Sequence, residues 1–194
     1  MAKYGAKYLR WAPFASASPD ESASALPKYG TPIDLGALVK VTDSPSFNEA
    51  KQYGDNTLKE YVSEFKECPV DVELTELAQS VASAVLGATI LATGDDTDIK
   101  FAADDTAPYG GLAFYVTKMV GNAKKYTGVY YTKVKATMQG EEYTTKGDTI
   151  TLTGGKLHFV ASAPAIGQWK IMSSDLADEA AAKTWVDGKI KATA

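Results

Sequence analysis

The sequence has only one histidine and one cysteine, and this scarcity excludes several kinds of site. Cys68 has no second cysteine with which to form an internal disulfide, so nothing in the chain implies an oxidising compartment. Cys68 and His158 together cannot supply the four ligands of a closed structural zinc site. We therefore expect neither a disulfide nor a structural metal.

Long apolar runs are also missing. The most apolar stretch, residues 81–92, is too short to cross a bilayer and is interrupted by Ser83, Gly87 and Thr89. No apolar run of signal-peptide length follows the basic residues among positions 1–10. We therefore expect a protein that has no membrane association and is made in a cytoplasm.

The chain lacks the known nucleotide-binding and hydrolase fingerprints. Asp96 and Asp98 resemble the start of a calcium loop, but Lys100 stands where the third ligand should be, which favours a solvated acidic loop. Glu141 and Glu142 are adjacent, so on a strand they would point to opposite faces and could not act as a pair.

The remaining candidates for chemistry are also weak. His158 lies beside Phe159 in a strand-like run with no acidic residue near it in sequence, which is typical of a structural strand residue. Gly110-Gly111 leads into a strand, so it lacks the helix N-terminus that would hold a phosphate. We predict no catalytic residue, no cofactor-binding residue, no metal ligand and no cofactor, and therefore a protein that is not an enzyme.

Charge is unevenly distributed along the chain, although the net charge is only −4. Residues 43–105 hold fourteen acidic and four basic residues, whereas residues 106–170 hold eight basic and three acidic ones. Such a chain could present complementary surfaces to copies of itself, unless folding interleaves the two regions. The net negative charge argues against a protein that grips nucleic acid through its phosphates.

Most of the sequence shows the two-residue alternation of apolar side chains that is typical of half-buried strands. In residues 130–138 this alternation predicts that Tyr130, Thr132, Val134, Ala136 and Met138 share one face. Pro69 indicates an edge position or a bulge in its strand. The predicted strands are 33–41, 61–74, 112–120, 130–138 and a hairpin over 150–161 that turns at Gly154-Gly155.

Two segments predict helices. The first covers about residues 75–86, where apolar side chains recur at helical spacing, Thr75 can cap the start and Gly87 can end it. The second covers about residues 175–187, an alanine-rich run that follows Ser174-Asp175. Residues 14–31 are rich in Ser, Ala and Pro and predict an N-terminal loop or arm. We interpret residues 1–194 as one mainly β (α+β) domain with arms at both ends.

Motifs along almost the whole chain resemble, in order, the phi13-type major tail proteins of siphophages that infect low-GC Gram-positive bacteria. Each motif is weak by itself, and their order and spacing over about 180 residues carry the resemblance. Gly54 and Gly110 depart from the family pattern and concern local turn geometry only. The motifs are Lys7-Tyr8-Leu9, Ala12-Pro13, Tyr29-Gly30, Tyr53-Gly54-Asp55-Asn56 with Glu60, residues 70–87, Ala107-Pro108-Tyr109-Gly110-Gly111, Tyr131 with Lys133-Val134, Thr145-Lys146-Gly147 with Ile150, Trp169, and residues 180–185.

The resemblance implies a structural protein of a phage virion. Its expected fold is a sandwich or barrel-like core of two packed antiparallel sheets with a flanking helix. It implies subunits that assemble into rings, expected to be six-fold, which stack head to tail around a channel for the genome. The implied partners are further copies of the chain and the tape measure, tail terminator and distal tail proteins. DNA would pass through the lumen without specific binding, and no membrane is involved.

Two other functions fit parts of the same pattern. A tube protein of a contractile tail or injection machine would share the fold, since its sheath partner leaves no readable mark. A carbohydrate-binding β-sandwich module is the alternative from another class, because three tryptophans and eleven tyrosines allow sugar stacking. A carboxylate-pair glycoside hydrolase would need two acidic residues converging in a cleft, and the sequence shows no sign of such a pair.

Overall fold

The computed structural model describes residues 3–15, 23–93, 96–140 and 154–192. The prediction of a mainly β fold with antiparallel sheets and a flanking helix is confirmed. In these residues the elements are β1 (Lys3–Pro13), β2 (Ile33–Asp34), β3 (Leu38–Asp43), β4 (Ser46–Gly54), β5 (Thr57–Leu74), α1 (Gln79–Leu86), β6 (Thr89–Thr93), β7 (Asp96–Lys100), β8 (Tyr109–Val120), β9 (Ala123–Met138), β10 (Lys156–Ala161), β11 (Lys170–Met172) and α2 (Glu179–Lys189).

Within the described residues, nine strands form one large antiparallel sheet in the order β2-β1-β8-β9-β10-β5-β3, with β11 added to β9 and β4 added to β5. The hairpin β6–β7 forms a second, smaller sheet. The two edges of the large sheet approach each other, because β1 contacts β3 and the Leu35 amide donates to the Leu9 carbonyl at 3.3 Å. The large sheet is therefore curled into a barrel-like layer with an inside and an outside.

Two apolar clusters lie on the two sides of this sheet. The inner cluster combines side chains of the sheet with the buried face of α1, and its largest members are Trp11, Phe159, Leu74, Leu112 and Leu157. The outer cluster lies under α2 and contains the tyrosines 29, 115 and 130 with two aliphatic residues of the C-terminal segment, Val186 and Ile190. Each such side chain stabilises the fold by roughly 1.5–3 kcal/mol through burial.

A bulge divides β9, which contributes side chains to both clusters. Gly110 pairs with Val134 and Leu112 pairs with Tyr131, so β9 has one more residue than β8 over this interval. The extra residue reverses the alternation, so Tyr131 and Val134 both face the inner cluster while Tyr130 faces the outer one. The predicted common face from Tyr130 to Met138 is therefore wrong, because an alternating sequence pattern does not reveal a bulge.

The predicted strand 33–41 is two strands. Gly36 adopts a left-handed conformation with φ of 99° and breaks the strand between β2 and β3. The Asp34 carboxylate accepts the Gly36 amide at 2.9 Å and stabilises this break. Leu35 is buried, but Val39 is 60% exposed, so the two halves do not share one buried face.

Pro69 lies where the strand paired with β5 on one side changes from β4 to β3. The Ser44 amide, in the link between β3 and β4, donates to the Pro69 carbonyl at 3.0 Å. A strand residue points its carbonyl and its amide position to the same side, so the missing N–H of Pro69 faces this link and no ladder bond is lost. The predicted edge position therefore holds on this side of β5, whereas β10 pairs with Pro69 on the other.

Helix α1 is shorter at its start than predicted. The Thr75 amide donates to the Ala37 carbonyl at 2.9 Å and prolongs the strand pairing, so Thr75 is not the helix cap. The N-cap position is Ala78, whose side chain makes no capping hydrogen bond. The predicted end at Gly87 is confirmed, since Gly87 has φ of 81° and donates to the Ser83 carbonyl.

Helix α2 begins four residues later than predicted. Asp178 is its N-cap, and the Asp178 carboxylate accepts the Ala181 amide at 2.7 Å. Residues before it remain extended because Leu176 forms a bridge with Tyr126 of β9. Ala182 and Val186 are fully buried, so α2 is packed against the outside of the sheet.

The predicted N-terminal arm, residues 14–31, lies only in part within the described residues. Phe14 and Tyr29 form a bridge at its two ends. Tyr29 is 2% exposed, and its hydroxyl bonds to the Tyr130 hydroxyl and donates to the Thr132 carbonyl at 2.6 Å. The far end of this segment is therefore part of the outer cluster and not a free arm.

The predicted hairpin over 150–161 is seen only in its second half. Leu157, Phe159 and Ala161 of β10 are buried as predicted, whereas Ile150 and Leu152 lie outside the described residues. Gly154 and Gly155 allow a close approach to the end of β5, because a Cβ at position 154 would lie 1.9 Å from the Leu74 carbonyl oxygen. A turn at these glycines therefore stays a prediction.

We predict that Gly128→Ala destabilises the fold by about 1–3 kcal/mol through overpacking. A Cβ at position 128 would lie 2.1 Å from the Trp185 ring, so the side chain would push α2 off the sheet. Gly188→Ala in α2 is the matched control, because its Cβ would meet nothing within 4 Å. Alanine there also favours the helix over glycine by up to about 1 kcal/mol. Urea unfolding measures both, and equal stabilities of the two variants would contradict the packing argument.

Candidate self-assembly surfaces

The residues considered for chemistry are dispersed in the fold. His158 lies on β10 with its Nδ1 2.7 Å from the Asp71 carboxylate on β5, a residue 87 positions away in sequence. Gln139 donates to the same carboxylate at 2.8 Å, so this pair is part of a small surface network. In the described part of the chain, no group of three or more His, Cys, Asp or Glu residues could hold a metal ion.

Cys68 and the acidic pairs do not converge either. Cys68 is fully buried in β5, and burial raises the pKa of its thiol, which keeps it in the unreactive neutral form. Asp98 is exposed on β7, so the predicted acidic loop contains a strand. Glu141 and Glu142 lie outside the described residues.

Sequence reasoning predicted a strand over residues 61–74 but missed the long hairpin arm, residues 46–67, that the first part of β5 forms with β4. β10 pairs with β5 only from Cys68 onward, and β3 pairs with β5 only from Val70 onward. Before Cys68, the described strand pairings of β5 are with β4 alone. At about 3.3 Å per residue, the eleven residues from Thr57 to Glu67 extend about 36 Å.

The tip of the hairpin arm is a two-residue turn. Asp55 and Asn56 both have positive φ, 51° and 59°, which is the conformation of a type I′ turn. The Thr57 hydroxyl donates to the Gly54 carbonyl at 2.8 Å and closes the turn. Asp and Asn tolerate this conformation better than other non-glycine residues, and this was the one sequence signal for the turn.

The hairpin arm exposes apolar side chains that a lone subunit does not cover. Tyr53 and Leu58 pair across the tip and are 66% and 51% exposed. Phe47 and Tyr61, on the same face of the arm, are each 48% exposed. Val62 on the other face is 44% exposed. Apolar side chains grouped along a projecting element mark an interaction surface.

Aromatic stacking fixes the root of the hairpin arm to the barrel. Phe65 stacks on Trp169 with ring centroids 4.3 Å apart and planes 7° from parallel. Trp169 in turn contacts the Tyr131 ring, with centroids 6.4 Å apart. Phe47 packs edge-on against Phe65 from β4. The arm therefore leaves the barrel from a rigid aromatic base.

An ion pair lies beside these rings, where β3 ends. The Asp43 carboxylate accepts a hydrogen bond from the Tyr131 hydroxyl at 2.9 Å and pairs with the Lys170 ammonium. Burial alone would raise the pKa of the Asp43 carboxyl, but these two donors outweigh it and hold that pKa below its usual 3.8. Burial and the neighbouring carboxylate raise the pKa of the Tyr131 hydroxyl.

The large sheet has two ends along the direction of its strands, and these ends differ in charge. One end, the basic pole, contains Lys3 opposite Lys118 and, one strand further, Lys125 with Lys124 beside it. The other end, the acidic pole, lies where β5 and β9 finish. Among the residues that the structure describes, the acidic residues assigned to this pole are Asp71, Glu73, Glu76, Asp98, Asp104 and Asp105.

Folding reduces this separation without removing it. Lys118 pairs with Asp175 at the basic pole. At the acidic pole, Lys156 lies opposite Glu73, and Lys135 lies close to Asp105 around a shared cleft. The charge pattern of the sequence is therefore only partly interleaved by the fold.

The hairpin arm projects toward the basic pole. β5 and β9 are both antiparallel to β10, so they run in the same direction, with Cys68, Ala161 and Val134 in one row. The part of β5 before Cys68 therefore extends alongside the first half of β9, which begins at the basic pole. The arm and the acidic pole thus lie at opposite ends of the subunit.

No model of a known protein family matches the chain, and no curated protein matches it. Within the residues that the structure describes, no helix is long and apolar enough to span a membrane.

We predict that the Asp43 ion pair makes stability depend on acid. The folded-state pKa of Asp43 is lowered, so its stabilising contribution is complete above about pH 4 and is lost as the pH falls through that lowered value. The difference in unfolding free energy between the wild type and Asp43→Asn should therefore shrink as the pH falls from 7 to 2. Urea titrations at each pH measure it, and a difference that stays constant to pH 2 would rule this out.

Proposed function

We propose that this chain is a structural protein of a bacteriophage virion, the major tail tube subunit of a long-tailed phage. The observation that carries the proposal is the hairpin arm, which exposes Tyr53, Leu58 and Tyr61 and has its root held rigidly by Phe65 and Trp169. An arm of this kind has no use in a lone globular domain, because it costs conformational entropy and buries little. Contacts with other copies of the chain would offset that cost.

The polarity of the subunit supports assembly in one direction. A head-to-tail contact joins two different surfaces, and repeating it gives rings or filaments. The hairpin arm, which carries five acidic residues and three lysines, lies at one end with the basic pole, and the acidic pole lies at the other, so the two ends are different surfaces. The proposed assembly is a stack of rings, with six subunits in each ring, that encloses a channel for genome delivery.

The charge of the subunit fits a channel that lets DNA slide. Each phosphate that a protein neutralises adds affinity for DNA, which would hold the genome in the tube. The chain has a net charge of −4, and its lysines at the basic pole are few and partly paired. The proposed partners are other copies of the chain, the tape measure, tail terminator and distal tail proteins, and DNA that passes without specific binding. The proposed location is the virion, with assembly in the host cytoplasm.

Electron microscopy of the concentrated protein tests the proposal directly. We expect rings or tubes of uniform diameter from the wild-type chain. A chain that stays monomeric at every concentration and binds glycans through the exposed tyrosines of the arm would instead favour a carbohydrate-binding module.

We predict that charge reversal at the acidic pole impairs assembly and leaves the subunit folded. Asp98 and Asp104 are exposed, and exposed charges contribute at most about 1 kcal/mol each to stability. The double variant Asp98→Lys/Asp104→Lys should therefore melt close to the wild type but polymerise more slowly at low salt, with the difference reduced at high salt.

The neutral variant Asp98→Asn/Asp104→Asn is the matched control and should give an intermediate rate. Light scattering follows polymerisation at several salt concentrations. If all three proteins polymerise at the same rate at low salt, the acidic pole is not part of an interface. Tubes that form normally but retain DNA in a salt-dependent way would locate these residues in the lumen.

A further inference from the structure

Strand β1 has one residue more than β8 at each of two bulges. A residue at each bulge has a left-handed conformation, Gly5 with φ of 62° and Tyr8 with φ of 60°. Glycine adopts this conformation without strain, whereas a bulky side chain such as that of Tyr8 is strained there. The second bulge therefore exists against the preference of its own residue, so contacts with the surrounding structure must stabilise it.

Helix α2 makes such contacts with Tyr8. The Tyr8 hydroxyl donates to the Asp187 carboxylate, with both oxygens at 3.1 Å, and the Lys183 ammonium lies 5.7 Å from the centre of the Tyr8 ring. From β1 itself, Arg10 donates to the same hydroxyl at 2.9 Å. Tyr8 and Asp187 are 179 positions apart in the sequence. The C-terminal helix therefore stabilises a strained bulge in the first strand.

The bulge at Tyr8 determines which way residues 3–7 face. Ala6 and Leu9 both contact the inner cluster although they are three residues apart, because the bulge interrupts the alternation between them. Removing the extra residue from the bulge would move residues 3–7 by one position along β8 and turn each of their side chains to the other face. Ala6 would then leave the inner side, and Lys7 would enter it.

The two registers have opposing advantages. The shifted register would return Tyr8 to an extended conformation and remove its strain. The bulged register keeps the Ala6 methyl group against the inner cluster and leaves Lys7 exposed. Ala6 is small and only partly buried, and a lysine can extend its ammonium back to water, so this second advantage is modest. The contacts of α2 with Tyr8 therefore decide between the registers.

We infer that helix α2 sets the register of β1. Residues 3–7 stay in the bulged register while Asp187 and Lys183 hold Tyr8, and they shift by one position along β8 when that hold is lost. The coupling connects the C-terminal helix to the basic pole, of which Lys3 is a part. A partner that lifted α2 would thereby change which side chains this pole presents. The coupling belongs to the single subunit and does not depend on the proposed function.

Two pairs of introduced cysteines report the register. Lys3→Cys/Lys118→Cys places the thiols directly opposite each other in the bulged register, and Lys3→Cys/Met119→Cys does so in the shifted register. A displacement by one residue turns the two Cβ atoms to opposite faces of the sheet, where no disulfide forms. The equilibrium constant of each disulfide in a glutathione buffer, measured in dilute solution, follows the population of its register. Cys68 does not interfere, because it is fully buried.

The variant Lys183→Ala/Asp187→Ala removes both contacts of α2 with the Tyr8 side chain. Both positions are exposed, so the buried Ala182 and Val186 should keep the helix docked. We expect the ratio of the shifted to the bulged register to rise by about 5-fold or more, the effect of losing one hydrogen bond and one cation–π contact. The conservative pair Lys183→Arg/Asp187→Asn retains a cation and an acceptor oxygen, and it should leave the ratio unchanged.

Tyr8→Gly tests whether the helix acts through this side chain. Glycine at position 8 adopts the left-handed conformation without strain and offers the helix no side chain to contact. Adding Lys183→Ala/Asp187→Ala to Tyr8→Gly should therefore leave the ratio as it is in Tyr8→Gly alone.

Three results would contradict the coupling. The first is an unchanged ratio in Lys183→Ala/Asp187→Ala, and the second is an equal rise in the conservative pair. The third is a weaker disulfide in the bulged register with no gain in the shifted one, because residues 3–7 would then detach from β8 and not shift along it. Urea unfolding of each protein checks that the compared variants are folded.

Discussion

The bulge in β9 determines how the rest of the molecule is arranged. It turns Tyr131 toward the inner cluster and leaves Tyr130 in the outer one, so neighbouring residues serve opposite sides of the sheet. At the bulge, the Thr132 amide donates to the Trp169 carbonyl at 3.2 Å, and the Thr132 hydroxyl donates to the Gln168 carbonyl at 2.6 Å. These bonds hold the segment before β11, and with it the indole on which the arm rests. One inserted residue thus connects the barrel, the helix α2 and the hairpin arm.

The outer cluster depends on the same strand. The Tyr130 hydroxyl bonds to the Tyr29 hydroxyl, and burial raises the pKa of Tyr130 to about 12, so this contact stays neutral at physiological pH. Gly128 provides the flat surface on which the Trp185 ring lies. Glu179, at the start of α2, accepts a hydrogen bond from the Tyr115 hydroxyl at 2.6 Å. Helix α2 is therefore held by its buried Ala182 and Val186, by the Tyr115 hydroxyl and by one close backbone approach.

Sequence patterns predicted most of the buried strands and also the exposed residues 61–67, but they missed β4 and the buried strand β1. β8, β9, β10 and the second half of β5 bury alternate apolar side chains, and that alternation is visible in the sequence. One face of β4 carries Phe47, Glu49, Lys51 and Tyr53, and this mixture is too polar to indicate a strand. The mixture occurs because neither face of the arm is covered. The contact between His158 and Asp71 also left no signal, since 87 residues separate them and only the register of β10 on β5 brings them together.

β5 is one strand of eighteen residues, and its uninterrupted course has a mechanical consequence. A pull on the arm along the strand axis would load β5 lengthwise. The hydrogen bonds that join its second half to β10 on one side and β3 on the other would then bear the tension together, in shear. A hairpin pulled apart at its open end breaks such bonds one after another under a much smaller force. A subunit that joins its neighbours through this strand would stretch little and would resist tension along the whole assembly.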